Sequence, residues 1–508
     1  MRKRIINAVF WQVVLFAFGY WALLPQFSIG KSEPNIDYLA ILNRSALEAK
    51  EDDKAWTIYR DLWIKHRFCD TDGFDVRMFY LPDRNGNPKR RLVRPSDGPA
   101  WGTATSRLVE LADLLEGFRV GGIRPSFGLP LVRHQSEFLP ADFRAIYPAL
   151  DHEKVRADHQ ANANKQDLGT LLEIPLHHIH VMQTAATLLV VDTRRAIEQD
   201  DLERATRNIE AIFGISAQIT ESKLIVCSLF GFKINSLALD LVDECLNSAV
   251  RFSPPHLARM HQAVAKIRID DMIDIEGERM LFLDVVQKTY TDDGSGDGRV
   301  TAEGKAYWDR IGELAEASIR RITSRKRLTE KADEMFTRLE KCFESPGDDE
   351  SIQEIEQELA ELPPSFMPLK VLFPNVLTIQ HAIIREKMSV ESVKAALAVI
   401  RFRNEHGRWP ESLDNVVGDL LPEVPQDLLV GQSLRYQRRG DGFVIYSVGV
   451  NRVDDGGQAV MIQDDGTFIA EVIREEVQGA LKGVPTGEYN LHENYPGDWI
   501  LWPRSSQP

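Results

Sequence analysis

Residues 196–205 read Ala196-Ile-Glu-Gln199-Asp200-Asp201-Leu202-Glu-Arg-Ala205, and this turn decides the fold class. Upstream, from about Pro175 to Glu198, apolar residues recur at helical spacing. Gln199-Asp200-Asp201 then breaks the pattern. An aspartate just before a new periodic run caps a helix, because its carboxylate accepts an amide that has no partner within the helix. A second helix is therefore expected near 201–222.

Working outward, a third helix is expected at 223–251 and a fourth at 256–268, with Pro254-Pro255 between them. Ala196, Asp200, Leu202 and Ala205 resemble the hinge of a tetratricopeptide-like helical hairpin. No fixed repeat period is visible, so the expectation is an irregular array of hairpins. Residues 305–361 are helical and rich in charge. Arg320, Arg321, Arg325, Lys326 and Arg327 make a basic run there, and 348–361 an acidic one; both read as solvated faces. Pro363, Pro364 and Pro368 mark a boundary, and a long helix is expected from Lys370 to Glu405. Toward the N-terminus, 37–66 and 103–118 have helical spacing. Residues 70–100 read as a long loop or short strands, and 119–150 as irregular. The fold class is mainly α, with a small α+β C-terminal domain.

The chain has 508 residues, enough for two to four domains. Its 43% hydrophobic and 27% charged residues form a globular mixture. A formal charge of −15 argues against nucleic acid as the main partner, since phosphate binding needs a basic surface. Cys69, Cys227, Cys245 and Cys342 are scattered, which excludes a disulfide scaffold and a zinc ribbon.

Arg2, Lys3 and Arg4 precede an apolar stretch, Ile5 to Leu24. At about 1.5 Å per residue it is about 30 Å long, the thickness of the hydrocarbon core of a bilayer. A signal peptide has a shorter apolar core and a small-residue exit. Ser28-Ile29-Gly30 is a poor exit, so residues 5–24 read as an uncleaved anchor in the lipid bilayer. The positive-inside rule places the N-terminus in the cytoplasm and residues 30–508 outside it. No later stretch reads as long and apolar enough to span a membrane. The expected organisation is 1–29 cytoplasmic tip and anchor, 30–170 mixed helical and irregular, 171–362 helical, and 363–508 long helix plus α+β domain.

Residues 293–304 resemble an EF-hand calcium loop. Asp293, Ser295 and Asp297 occupy loop positions 1, 3 and 5, and Gly298 position 6. Arg299 would offer its carbonyl at position 7, and Thr301 stands at position 9. Position 12 is Gly304 in place of the bidentate glutamate, with Glu303 one residue early. Losing two of about seven oxygens weakens binding toward about 10⁻⁴–10⁻³ M. The competing reading is a Gly/Asp-rich turn that binds nothing. Asp70-Thr-Asp72-Gly73-Phe-Asp75 has its glycine at another offset and reads as a turn.

At the C-terminus, Asn404-Glu-His-Gly407-Arg-Trp409-Pro410 is followed by Pro425-Gln-Asp427, then Leu434-Arg-Tyr436, Gly440-Asp-Gly442-Phe443-Val-Ile-Tyr446-Ser447 and Asp454-Asp455-Gly456-Gly457. Gly407 can stop the helix, and the two short strand patterns flank a hairpin signal at 438–442. This pattern resembles the head of the type II secretion system major pseudopilin (protein G). The whole chain resembles envelope proteins of planctomycete-type bacteria that join an anchor, a helical region and such a tail. The resemblance implies a calcium loop, with Ser447, Asp454 and Asp455 at the matching positions; a hydrogen-bonded turn is the alternative. Two departures limit it. The pseudopilin's glycine cleavage site and adjoining glutamate are absent, and Leu428 follows Asp427 where proline is usual.

No catalytic motif is present. His177, His178 and His180 lack a companion Glu-x-x-His and read as surface or core residues. Asp270, Asp271, Asp274, Glu276 and Glu278 read as helix-end acids. The sequence thus implies a non-enzymatic, membrane-anchored scaffold or interaction protein of the cell envelope, with another envelope protein as partner and calcium as a stabiliser. The alternatives are an extracytoplasmic metal- or carboxylate-dependent hydrolase and an accessory of a secretion or pilus-like system.

Overall fold

A computed structural model describes residues 30–66, 76–82, 90–132, 168–248, 252–293, 298–314, 322–344, 349–418, 421–449, 451–458 and 498–504. The anchor segment 5–24, Ser295 and Asp297 lie outside this set. The helices are α1 (Tyr38–Leu42), α2 (Arg44–Glu48), α3 (Trp56–His66), α4 (Pro99–Glu110), α5 (Ala112–Gly122), α6 (His177–Glu198), α7 (Leu202–Gln218) and α8 (Ile225–Leu246). They continue with α9 (Pro254–Ala265), α10 (Glu276–Thr289), α11 (Ala302–Leu314), α12 (Arg325–Glu344), α13 (Asp349–Glu361), α14 (Met367–Leu372) and α15 (Val376–His406). Strands β1 (Tyr80–Pro82) and β2 (Arg90–Leu92) pair, as do β3 (Gln426–Asp427) and β4 (Gln432–Ser433). Strands β5 (Arg435–Arg439), β6 (Gly442–Ser447) and β7 (Trp499–Trp502) form an antiparallel sheet in that order. The described chain is mainly helical.

Helix α7 is the hub, packing against α5, α6, α8 and α9. Its start follows the sequence reading: Asp201 accepts the Arg204 amide at 3.1 Å, and Asp200 takes a left-handed φ of 57°. The crossing with α5 is unusually close. A Cβ at Gly214 would stand 1.7 Å from the Gly122 carbonyl oxygen, so only glycine lets the two backbones meet.

Helix α15 is buried around most of its circumference, from Val376 to Phe402. It packs on α8 and α9 and on β6 and β7, joining the helical array to the sheet. Asn375 caps its start by accepting the Thr378 amide at 3.1 Å. Gly407 ends it, with φ 69° and its amide on the Arg403 carbonyl at 2.8 Å. Along β6 the side chains alternate. Phe443 and Ile445 join the main core, while Val444 and Tyr446 join a small cluster with Ile500.

Two expectations are corrected. The helix expected at 370–405 is two, α14 and α15, because Pro374 has no amide to donate and Asn375 restarts the helix. The described residues of 305–361 are mainly helical as expected, in α11, α12 and α13. One contiguous core runs from Leu42 to Trp502. Finally, two later segments, Ile225–Leu246 and Pro364–His406, are long and apolar enough to cross a membrane. More than half of each apolar window is buried against the rest of the protein, which is how a central core helix of a folded domain also reads.

Candidate functional site

The loop after α10 is held by its own backbone. Thr291 and Arg299 pair, the Thr291 amide reaching the Arg299 carbonyl at 2.8 Å, and the Gly298 amide reaches the Thr291 carbonyl at 2.8 Å. Asp293 accepts the Lys31 amide at 2.8 Å, and Asp292 accepts Arg325 at 3.0 Å. Thr301 is buried and caps α11 by accepting the Gly304 amide at 2.8 Å. Glu303 is exposed. A Cβ at Gly304 would stand 2.2 Å from the Thr289 carbonyl oxygen, so the twelfth loop position has no room for a glutamate. Asp293, Arg299 and Thr301 thus each take part in the loop's own hydrogen bonds.

The head loop closes in a similar way. Asp454 accepts the Tyr446 hydroxyl at 3.1 Å, the Gly456 amide at 2.9 Å and Arg435 at 3.3 Å. Asp455 accepts Asn451 at 3.2 Å, and the buried Ser447 hydroxyl accepts the Gly449 amide at 3.1 Å. Two further carboxylates complete it, of which the sequence reading missed Asp498. Asp498, buried just before β7, accepts the amides of Asp455 at 3.2 Å and Gly457 at 2.6 Å. Asp427, also buried, accepts the amides of Leu429 and Val448 at 3.1 and 2.9 Å. Burial raises the Asp498 carboxyl above its usual range, and Asp454 and Asp455 nearby add to the effect. Among the described residues no group of three or more His, Cys, Asp or Glu is disposed to hold a metal ion.

The acidic stretch divides by role. Glu278 is half-buried and accepts the Ile225 amide at 2.9 Å, capping α8; desolvation raises its carboxyl. Asp270 and Asp274 stand at the rim of a pocket of about 340 Å³ between the turn at 269–275, α12 and α15. Ile269, Ile273, Phe343 and Ile383 form its apolar wall, and Glu340 and Glu344 complete the acidic rim. Lys387 pairs with Asp270, Lys223 pairs with Asp274 at 2.8 Å, and Arg279 lies 3.6 Å from Glu340. Burial raises the adjoining Glu276 carboxyl, and repulsion from Asp274 and Glu340 works in the same direction. Arg279 and Lys223 act against that rise.

His178 and His180 do not converge. His178 is buried with Nε2 3.6 Å from Cys227 Sγ, while His180 is exposed; the His177 side chain lies outside the described set. Burial pushes the Cys227 thiol up to about 12, the opposite of what a nucleophilic thiolate needs.

Two buried polar clusters had one legible signal, a charge within an apolar helical face. Arg119 on α5 donates to Asp192 at 2.5 Å, Asn208 at 2.6 Å and Glu116 at 2.9 Å. Glu386 on α15 accepts Asn235 and Ser236 of α8, and Arg504 donates to Asp240 of α8 at 2.6 Å. These pairs fasten helices together. No protein-family model, curated protein or solved structure matches the chain.

Proposed function

We propose that this chain is a non-catalytic interaction scaffold of the bacterial cell envelope, anchored by residues 5–24, with its N-terminus in the cytoplasm and its body outside. The observation that carries the reading is the acid-rimmed pocket. Its occupant is a lysine or arginine side chain on a basic segment of another envelope protein. The aliphatic stem lies against Ile273, Phe343 and Ile383, and the charged end meets Glu340 and Glu344. A carboxylate-dependent hydrolase is the rival at the same pocket, since Asp270 and Asp274 line it. Both stand in ion pairs with lysines. The test is to attach an amine-reactive cross-linker at Glu344→Cys and look for a partner joined through its lysines.

Calcium, which both Asp-rich loops imply by resemblance, has no role in this proposal. The described carboxylates there accept amides, a hydroxyl or a guanidinium. Chelation with EDTA is expected to leave the melting temperature unchanged. Asp498→Ala is expected to cost about 1–3 kcal/mol, because two amides lose their acceptor. A melting temperature that rises with calcium, and no longer does so in Asp455→Asn, would restore calcium to the head loop.

A further inference from the structure

The chain joins the body at the Asp-rich loop after α10. Gly30 is buried there, and a Cβ on it would stand 2.7 Å from Asp293 Oδ1. The Lys31 amide donates to Asp293 at 2.8 Å, and the Asp292 amide donates to the Lys31 carbonyl at 3.2 Å. The Glu33 amide donates to Asp292, and Gln287 bonds both the amide and the carbonyl of Ile36, at 3.3 and 2.8 Å. The apolar segment ends at Leu24. The residues between Leu24 and Gly30 span at most about 20 Å when fully extended. A bilayer around residues 5–24 therefore lies close to this loop.

The same patch carries five cations, Lys31, Arg299, Arg325, Lys326 and Arg327, beside the acids Glu33, Asp292, Asp293 and Glu330. The Arg325 amide donates to the Gly298 carbonyl at 3.0 Å, joining the loop to the start of α12. Lys31, Arg299 and Arg327 are exposed, and the Lys326 side chain is 83% exposed. Of the neighbouring acids, Asp292 is engaged by Arg325 and Asp293 by the Lys31 amide. Glu330 stands 3.8 Å from Lys326, and Glu33 is exposed. This grouping of cations occurs in a chain whose formal charge is −15.

We propose that the surface formed by Lys31, Arg299 and Arg325 to Arg327 is the bilayer-facing pole of the body and seats on anionic lipid headgroups. The proposal rests on the anchor reading above. The test uses the full chain in lipid nanodiscs, with Cys69→Ser and a fluorophore at Glu330→Cys, one helical turn from Lys326. A headgroup-attached quencher is expected to quench the fluorophore strongly in anionic nanodiscs. With Lys326→Glu and Arg327→Glu together, the seated population is expected to fall at least about tenfold. Quenching that is absent, or unchanged by the charge reversal, overturns the proposal. A chain that does not enter nanodiscs contradicts the anchor instead. Sedimentation with anionic vesicles then tests the surface alone: salt-sensitive binding lost in the double variant supports it, and no binding overturns it.

Discussion

Asp192→Ala is expected to lose about 3–5 kcal/mol of folding stability, the cost of removing one member of a buried ion pair. Asp192 is 1% exposed on α6 and accepts Arg119 Nη2 at 2.5 Å and Asn208 Nδ2 at 2.9 Å. Arg204 Nε and Arg195 Nη1 lie 3.6 and 3.8 Å away. Without the carboxylate, the mostly buried Arg119 guanidinium keeps only Glu116 as an anionic partner, and Asn208 loses its acceptor. An exposed pair supplies the contrast. Arg268 and Asp271 are 74% and 68% exposed, so Asp271→Ala is expected to change stability by less than about 1 kcal/mol. Urea unfolding followed by tryptophan fluorescence measures both. A shift for Asp192→Ala as small as that for Asp271→Ala would show that the α5–α6–α7 junction does not depend on this carboxylate.

Gly214→Val is expected to be at least as severe, at about 3 kcal/mol or more. The Gly122 carbonyl occupies the place that the first side-chain carbon would take, and both groups are helix backbone with no rotamer to move. To admit it, α5 must retreat from α7, the helix that also carries α8 and α9. Those two support α15 and, through it, one wall of the pocket at Ile383. Gly102, on α4, has nothing within 4 Å of its Cβ position. Gly102→Ala is expected to be neutral or stabilising by about 0.5 kcal/mol, since alanine is the better helix former. Equal effects from the two substitutions would contradict the close crossing.

The sequence carried what depends on local chemistry. The cap at Asp201, the stop at Gly407 and the hairpin between β5 and β6 were all legible, because a few adjacent residues decide them. The sheet's third strand was not, since β7 pairs with β6 from more than fifty residues away along the chain. For the same reason Asp498 was missed, because nothing near it in sequence marks it as the acceptor for the 455–457 turn. In the Asp-rich loop after α10, spacing records which residues are present. It does not record that Asp293 holds the Lys31 amide, or that Gly304 lies against a carbonyl. The pocket draws on three separate segments. Of these, only the acidic stretch from Asp270 stood out in sequence, and there as helix-end acids.

The most direct test of an anchored, extracytoplasmic interaction protein uses Glu344→Cys with Cys69→Ser. Cys227, Cys245 and Cys342 are buried and so protected from the reagent. A membrane-impermeant cross-linker, thiol-reactive at one end and amine-reactive at the other, is applied to intact spheroplasts. The account predicts labelling without lysis, a discrete adduct to one envelope protein through a lysine-rich segment, and loss of that adduct when Glu340→Lys is added. Secretion machinery as the adduct would favour the accessory reading. Labelling only after lysis, or full labelling with no adduct, would contradict the account.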